Sequence, residues 1–136
     1  MSPKIILLAI ALLYLFGCTY GYEITTSITK ISKNQYEISA TLPEIYFDDN
    51  NLQLIEPYDQ IAFIEIQGRY GSSTSELIDQ VRIEGAKVGA DAIIHIQHHY
   101  VSRESGELLS ELLNPELNSP NVYNTIAITG IAIKYY

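Results

Sequence analysis

Residues 73–94 read STSELIDQVRIEGAKVGADAII, and the punctuation of this stretch decides the fold class. Ser73-x-x-Glu76 has the form of a capping box, in which the serine hydroxyl accepts an early amide proton and the glutamate reaches back. Glu76 and Asp79 stand near the positive end of the helix dipole. Leu77, Val81, Gly85 and Val88 recur at spacings of four and three, with Ile78 beside them, which is the apolar stripe of a core-facing helix. Gly85 within that stripe lets the backbone lie close to a sheet. Gly89 suits the left-handed residue that stops a helix, and Ala90 packs back after it. The pattern predicts a helix over about 73–88, followed at once by a strand over 91–101, DAIIHIQHHYV.

Working outward, residues 59–67, DQIAFIEIQ, predict the strand before the helix. Ala62, Ile64 and Ile66 face one way, and Ile61, Phe63 and Glu65 the other; apolar residues on both faces suit a central strand. Residues 23–42 predict a β-hairpin. EITTSITKI is rich in β-formers, Ser32-Lys33-Asn34-Gln35 supplies a turn, and Tyr36, Ile38, Ala40 and Leu42 alternate with polar residues. Between Pro43 and Pro57 lies an acidic connection. Its Asp48-Asp49-Asn50-Asn51 lacks the third ligand and the glycine of a calcium loop, so it reads as a solvated turn.

After the strand at 91–101, Leu108, Leu109, Leu112 and Leu113 predict a short helix near 106–113, with Ser105 as cap and Asn114-Pro115 as stop. The final strand is 123–136. Its isoleucines change phase at Thr129-Gly130, which predicts a β-bulge at Gly130. The order β-β-β-α-β-β gives a two-layer α+β fold, one main helix on an antiparallel or mixed sheet of about five strands. If strands 59–67 and 91–101 are parallel, the helix between them makes a crossover connection.

The N-terminus sets the address. Residues 1–18 read MSPKIILLAIALLYLFGC. Lys4 supplies a positive start, and Ile5–Phe16 is an uncharged run of twelve residues. That suits a secretory leader and falls short of the ~20 apolar residues of a membrane-spanning helix. Leu15-Phe16-Gly17-Cys18 resembles the lipobox of bacterial lipoproteins. The resemblance implies cleavage before Cys18 and lipid on its thiol and new amino terminus. It divides the chain into a signal peptide (1–17), a lipidated tether (18–22) and a single α+β domain (23–136). Two or more acyl chains, at ~0.8 kcal/mol per buried methylene, anchor a protein firmly. Thr19 after the cysteine resembles lipoproteins sorted to the outer membrane, which implies a domain in the periplasm or on the cell surface.

A second resemblance covers Leu77–Ile94. A helix with small Ala86, then Gly89-Ala90-Asp91-Ala92 and Ile93-Ile94, is similar to a unit in small bacterial envelope domains. These include the outer-membrane sensor lipoprotein of the Rcs response and the YbjQ-type domains. It implies a shared fold unit.

Cys18 is the only cysteine, so no disulfide forms within the chain and packing must hold the fold. The formal net charge is −8, and loss of Lys4 with the leader makes it −9. Such a surface repels phosphate backbones, so nucleic acid is not an expected partner. No nucleophile elbow, phosphate loop or telling carboxylate pair is present, so no catalysis is expected. No cofactor is expected beyond the covalent lipid on Cys18.

His95, His98 and His99 are the candidate metal ligands. On a regular strand His95 and His99 share a face but lie ~13 Å apart, too far to chelate one ion, and His98 points away. The expected function is a membrane-anchored binding or assembly module of the envelope. Leu108, Leu109, Leu112 and Leu113 are expected to dock on the sheet or else to remain partly exposed, as the candidate surface for an envelope protein partner. The alternative is a metal-binding or envelope-sensing module using the histidines of 95–99.

Overall fold

The computed structural model describes residues 2–16, 18–47, 56–116 and 120–136. The Asp48–Asn51 turn therefore lies outside the described residues. The fold is α+β, with three helices and six strands among the described residues. In chain order these are α1 (Pro3–Phe16), β1 (Thr19–Tyr20), β2 (Thr25–Lys30), β3 (Glu44–Ile45), β4 (Tyr58–Gln67), α2 (Thr74–Lys87), β5 (Ala92–Glu107), α3 (Leu108–Leu113) and β6 (Asn121–Tyr135). The strand path is β1-β5-β6-β4-β2, and β3 pairs with β5. Every registered pair is antiparallel except the two-residue β3–β5 pair. Two compact units contain these elements: Met1–Glu23 with Ser102–Asn124, and Ile24–Val101 with Thr125–Tyr136.

The second, larger unit is built on α2. Ser73 caps it by accepting the Glu76 amide at 3.1 Å. The Glu76 carboxylate instead meets the Arg69 guanidinium at 3.1 Å, so only half of the capping box forms. At the other end Gly89 takes φ +82°. Its amide donates to the Ala86 carbonyl and the Ala90 amide to the Gly85 carbonyl, the pair of bonds that defines a Schellman stop. Leu77 and Val81 are fully buried against Ala62, Ile64, Ile66, Ile93, Ile128 and Ala132. A Cβ on Gly85 would lie 2.6 Å from Ile93 Cδ1, so the glycine is what lets helix and sheet approach. Glu84 is buried too, and it accepts from Gln80 Nε2 at 2.9 Å and Lys87 Nζ at 2.8 Å.

α2 connects β4 to β5, but these strands are not neighbours, because β6 lies between them. β4 pairs antiparallel with β6 over Tyr58–Gln67. Asp91 of the Gly-Ala-Asp-Ala turn ties the start of β5 to the end of β6. Its carboxylate accepts from Lys134 Nζ at 2.8 Å and from the Tyr135 amide at 2.9 Å.

Several expectations are corrected. Residues 36–42 are not a strand, and β2 pairs with β4 rather than with them. Ile38 and Leu42 are exposed, so their alternation marks no buried face. The segment instead lies over the end of α2. The Ser39 amide donates to the Ala86 carbonyl at 2.9 Å, and a Cβ on Gly89 would lie 2.5 Å from the Glu37 carbonyl oxygen. β5 runs on to Glu107, so Ser105 is a buried strand residue and not a helix cap. α3 starts after Glu107, whose side chain makes no capping bond.

The expected bulge at Gly130 is absent. β6 stays in register with β4 through Ile128, Thr129, Gly130 and Ile131, and the irregularity falls on β4 between Gln60 and Ala62. The isoleucines change phase because the bulky residues change sides. Ile128, Gly130 and Ala132 lie under the helix layer, where Ile93 and Ile96 leave no room for a Cβ on Gly130. Ile131, Ile133 and Tyr135 go to the opposite face, where they join Ala92, Ile94, Tyr46 and Tyr58 in a second apolar cluster.

β5 also breaks alternation. His95 takes φ +53°, the one positive value outside glycine among the described residues. Histidine tolerates this region better than β-branched residues do. Ile96 thus joins Ile93 in the helix-side cluster, while Ile94 goes with the opposite one.

The first, smaller unit contains β1 paired with the end of β5, in the register Thr19↔Glu107 and Tyr20↔Gly106. Residues 18–22, expected as a tether, are therefore secured to this unit. The Leu108 amide donates to the Cys18 carbonyl at 3.2 Å. Arg103 Nη1 donates to the Glu23 carbonyl at 2.8 Å, and the Tyr123 hydroxyl donates to the Gly21 carbonyl.

Candidate functional site

Cys18 is exposed, and its thiol donates to the Tyr14 carbonyl at 3.6 Å across the end of α1. Just after it, the Tyr20 hydroxyl meets both carboxylate oxygens of Glu111 on α3, at 2.8 and 2.9 Å. Gly21 takes φ +78°, and a Cβ there would overlap the Glu104 carbonyl oxygen. Only glycine fits this point of the strap.

The hydrogen bond to Glu111 raises the Tyr20 phenol to about 12, with desolvation and nearby carboxylate charge adding to it. The protonated phenol is the bonded form. The contact therefore stabilises fully below the unfolded value of ~10 and is lost as pH rises through about 12. Ultraviolet titration of phenolate should show one such late tyrosine in this unit. Glu111→Gln should return its midpoint toward ~10; an unchanged titration would show that the pair does not form.

On α3, Leu108, Leu112 and Leu113 are 48, 77 and 67% exposed. These three side chains are open to solvent, and α3, which also carries Leu109, spans Leu108–Leu113. Glu111 points the other way, to Tyr20.

His95, His98 and His99 are all exposed. The His98 and Tyr100 rings meet edge to face at 5.5 Å. Among the described residues no group of three His, Cys, Asp or Glu could hold a metal ion.

The larger unit offers two further features. A cleft of about 160 Å³ is lined by Lys30, Asn34, Gln35, Tyr36, Ile61, Lys87 and Val88. Lys87 is already paired with Glu84, and the cleft lies at the C-terminal, negative end of α2, which disfavours an anion. The sheet face away from α2 carries Phe63, 38% exposed, opposite Ile131 on the neighbouring strand. Near it the Tyr46 hydroxyl donates to Glu44 at 2.6 Å, and this bond, with a second to Tyr135, holds the Tyr46 phenol well above the ordinary range. The Tyr136 hydroxyl donates to Asp59, which raises that phenol in the same way.

Comparison with protein-family models, with curated proteins and with solved structures finds no match in any of the three. Function must therefore be argued from the residues themselves. Among the described residues, no helix is long and apolar enough to cross a membrane.

Proposed function

We propose that this chain is a bacterial envelope lipoprotein, anchored through lipid on Cys18, that acts as a binding or assembly module and performs no catalysis. The observation that carries the reading is the leader itself. A positive start and an apolar run end in Leu15-Phe16-Gly17-Cys18, and the first strand begins at the next residue. The sole cysteine stands at the one place where acylation would use it. The outer membrane, with the domain in the periplasm or on the surface, is the proposed location.

Two apolar surfaces suit such a role. One is the leucine face of α3. The other is the sheet face of Phe63 and Ile131, flanked by Tyr46, Tyr58 and Tyr135. Tyrosine presents a large apolar body with a polar tip, a combination favoured at protein interfaces. The acidic charge of the mature chain argues for a protein or lipid partner over a nucleic acid.

A photo-crosslinker at position 63, introduced into the chain in living cells, tests the module reading. Reproducible adducts to an envelope protein, abolished when Cys18→Ser releases the chain from the membrane, are expected. Recovery of the chain without adducts would count against it.

A further inference from the structure

We propose that α3 is a membrane-contacting element: its exposed leucines enter the apolar boundary of the leaflet that holds the Cys18 acyl chains. The inference rests on the lipoprotein reading above and adds to it a specific contact of the folded chain with lipid.

Four observations converge on it. The residue that would carry the lipid is fastened to the helix. The Cys18 carbonyl accepts the amide of Leu108, the first residue of α3, at 3.2 Å. The next residues leave no slack. Thr19 and Tyr20 pair with Glu107 and Gly106, Tyr20 bonds Glu111 in the middle of α3, and Gly21 is packed against the Glu104 carbonyl. α3 has six residues and is therefore only about 9 Å long. Leu108, Leu112 and Leu113 therefore lie close to the point where the acyl chains leave the protein. Interfacial apolar segments enter the headgroup–acyl boundary by roughly 5–10 Å, a depth that leucine side chains at this height reach.

Next, these leucines are presented outward. Leu112 is 77% and Leu113 67% exposed, while the charged residue of the helix, Glu111, is turned to Tyr20. An exposed apolar cluster of this kind marks a contact surface.

Leu112 and Leu113 also keep this exposure with α1 in place. α1, with Lys4 its only charge, lies beside α3 without covering them. Loss of α1 on cleavage before Cys18 leaves the leucines open beside the anchor.

Finally, charge selects the kind of lipid. Residues 104–120 hold Glu104, Glu107, Glu111 and Glu116 and no Lys or Arg. The surface therefore gains nothing from anionic headgroups, and the occupant is a zwitterionic leaflet bound through its apolar boundary.

The chain has no tryptophan, so Leu112→Trp creates a single reporter at an exposed site. The processed Leu112→Trp lipoprotein would be purified, its acylation read by mass, and its fold checked by circular dichroism and urea unfolding beside the parent chain. It would then be placed in phosphatidylcholine vesicles whose acyl chains carry bromine near the glycerol or near the chain end. The expected result is blue-shifted emission, loss of most of it to the shallow bromines, and weaker quenching by the deep ones. Added phosphatidylglycerol should not increase the quenching. An acylated, folded protein whose tryptophan stays red-shifted and unquenched would overturn the inference and leave the anchor standing. A blue shift without bromine quenching would also overturn it, because the leucines would then be covered by protein. An unacylated mass would overturn the anchor and the inference together.

Discussion

Gly89→Val is expected to destabilise the chain by about 3 kcal/mol or more, enough to remove much of the stability of an ordinary small domain. Two costs add. The residue sits at φ +82°, where a non-glycine side chain costs roughly 1–2 kcal/mol and a β-branched one fits worst. A Cβ there would also meet the Glu37 carbonyl oxygen at 2.5 Å and Tyr36 Cβ at 2.7 Å. Relieving that overlap costs about 1–3 kcal/mol as overpacking. The overlap is what makes the prediction specific. A helix stop facing water would show only the first cost, and Gly89 faces the 36–39 segment instead. Urea unfolding should show a lower midpoint at an unchanged slope. A loss of only about 1–2 kcal/mol, the first cost alone, would mean that 36–39 does not pack on the end of α2.

Ile64→Ala is expected to cost about 3–4 kcal/mol, and Ile38→Ala less than about 0.5. Ile64 is fully buried in the central strand β4, between Ile28 on β2 and Gly130 on β6. The glycine opposite it and the fully buried Leu77 and Val81 in the same cluster leave little able to fill the cavity. Ile38 is 74% exposed, so truncating it removes no packed contact. Both are isoleucines in alternating stretches, and a hairpin over 23–42 would make the two losses comparable. Equal costs in urea unfolding would restore that hairpin and contradict the fold described here.

Why these two positions read differently follows from how local the governing physics is. The limits of α2 were legible because both are short-range devices: Ser73 bonds the amide three residues on, and Gly89 with Ala90 closes the stop within five residues. β4 was legible because apolar residues on both faces leave one place for it, inside the sheet. The alternation of Tyr36–Leu42 misled because period-two polarity says nothing about whether a partner strand exists. There the free amide of Ser39 found the Ala86 carbonyl at the helix end instead. The length of β5 was hidden for the opposite reason. Apart from half-buried Val101, residues 97–104 are polar or exposed, so no periodicity marks their extension to Glu107. The phase change in β6 was visible and its cause was not. A bulge and a switch of the bulky face give the same isoleucine spacing, and only the Gly130↔Ile64 register separates them.

Of the candidate site, the position of Cys18 and the helix carrying the leucines of 108–113 could be read directly, because a cysteine after an apolar leader and leucines at helical spacing are local patterns. Their junction could not. Tyr20 meets Glu111 across ninety-one residues of chain, and nothing near either residue announces the other. Gly21 was the available signal: a glycine in a five-residue segment read as a tether had no work to do there. Its packing against Glu104 shows that the segment is bound. The histidines were read with a regular strand in mind, and the left-handed backbone of His95 removes that premise.

The central claim, that Cys18 becomes the lipid-bearing N-terminus, is tested most directly by the intact mass of the chain extracted from membranes, beside Cys18→Ser. The expected mass is that of residues 18–136 plus a diacylglyceryl group and an amide-linked acyl chain, with this species missing from the variant. An unacylated mass, with or without the first 17 residues, would contradict it.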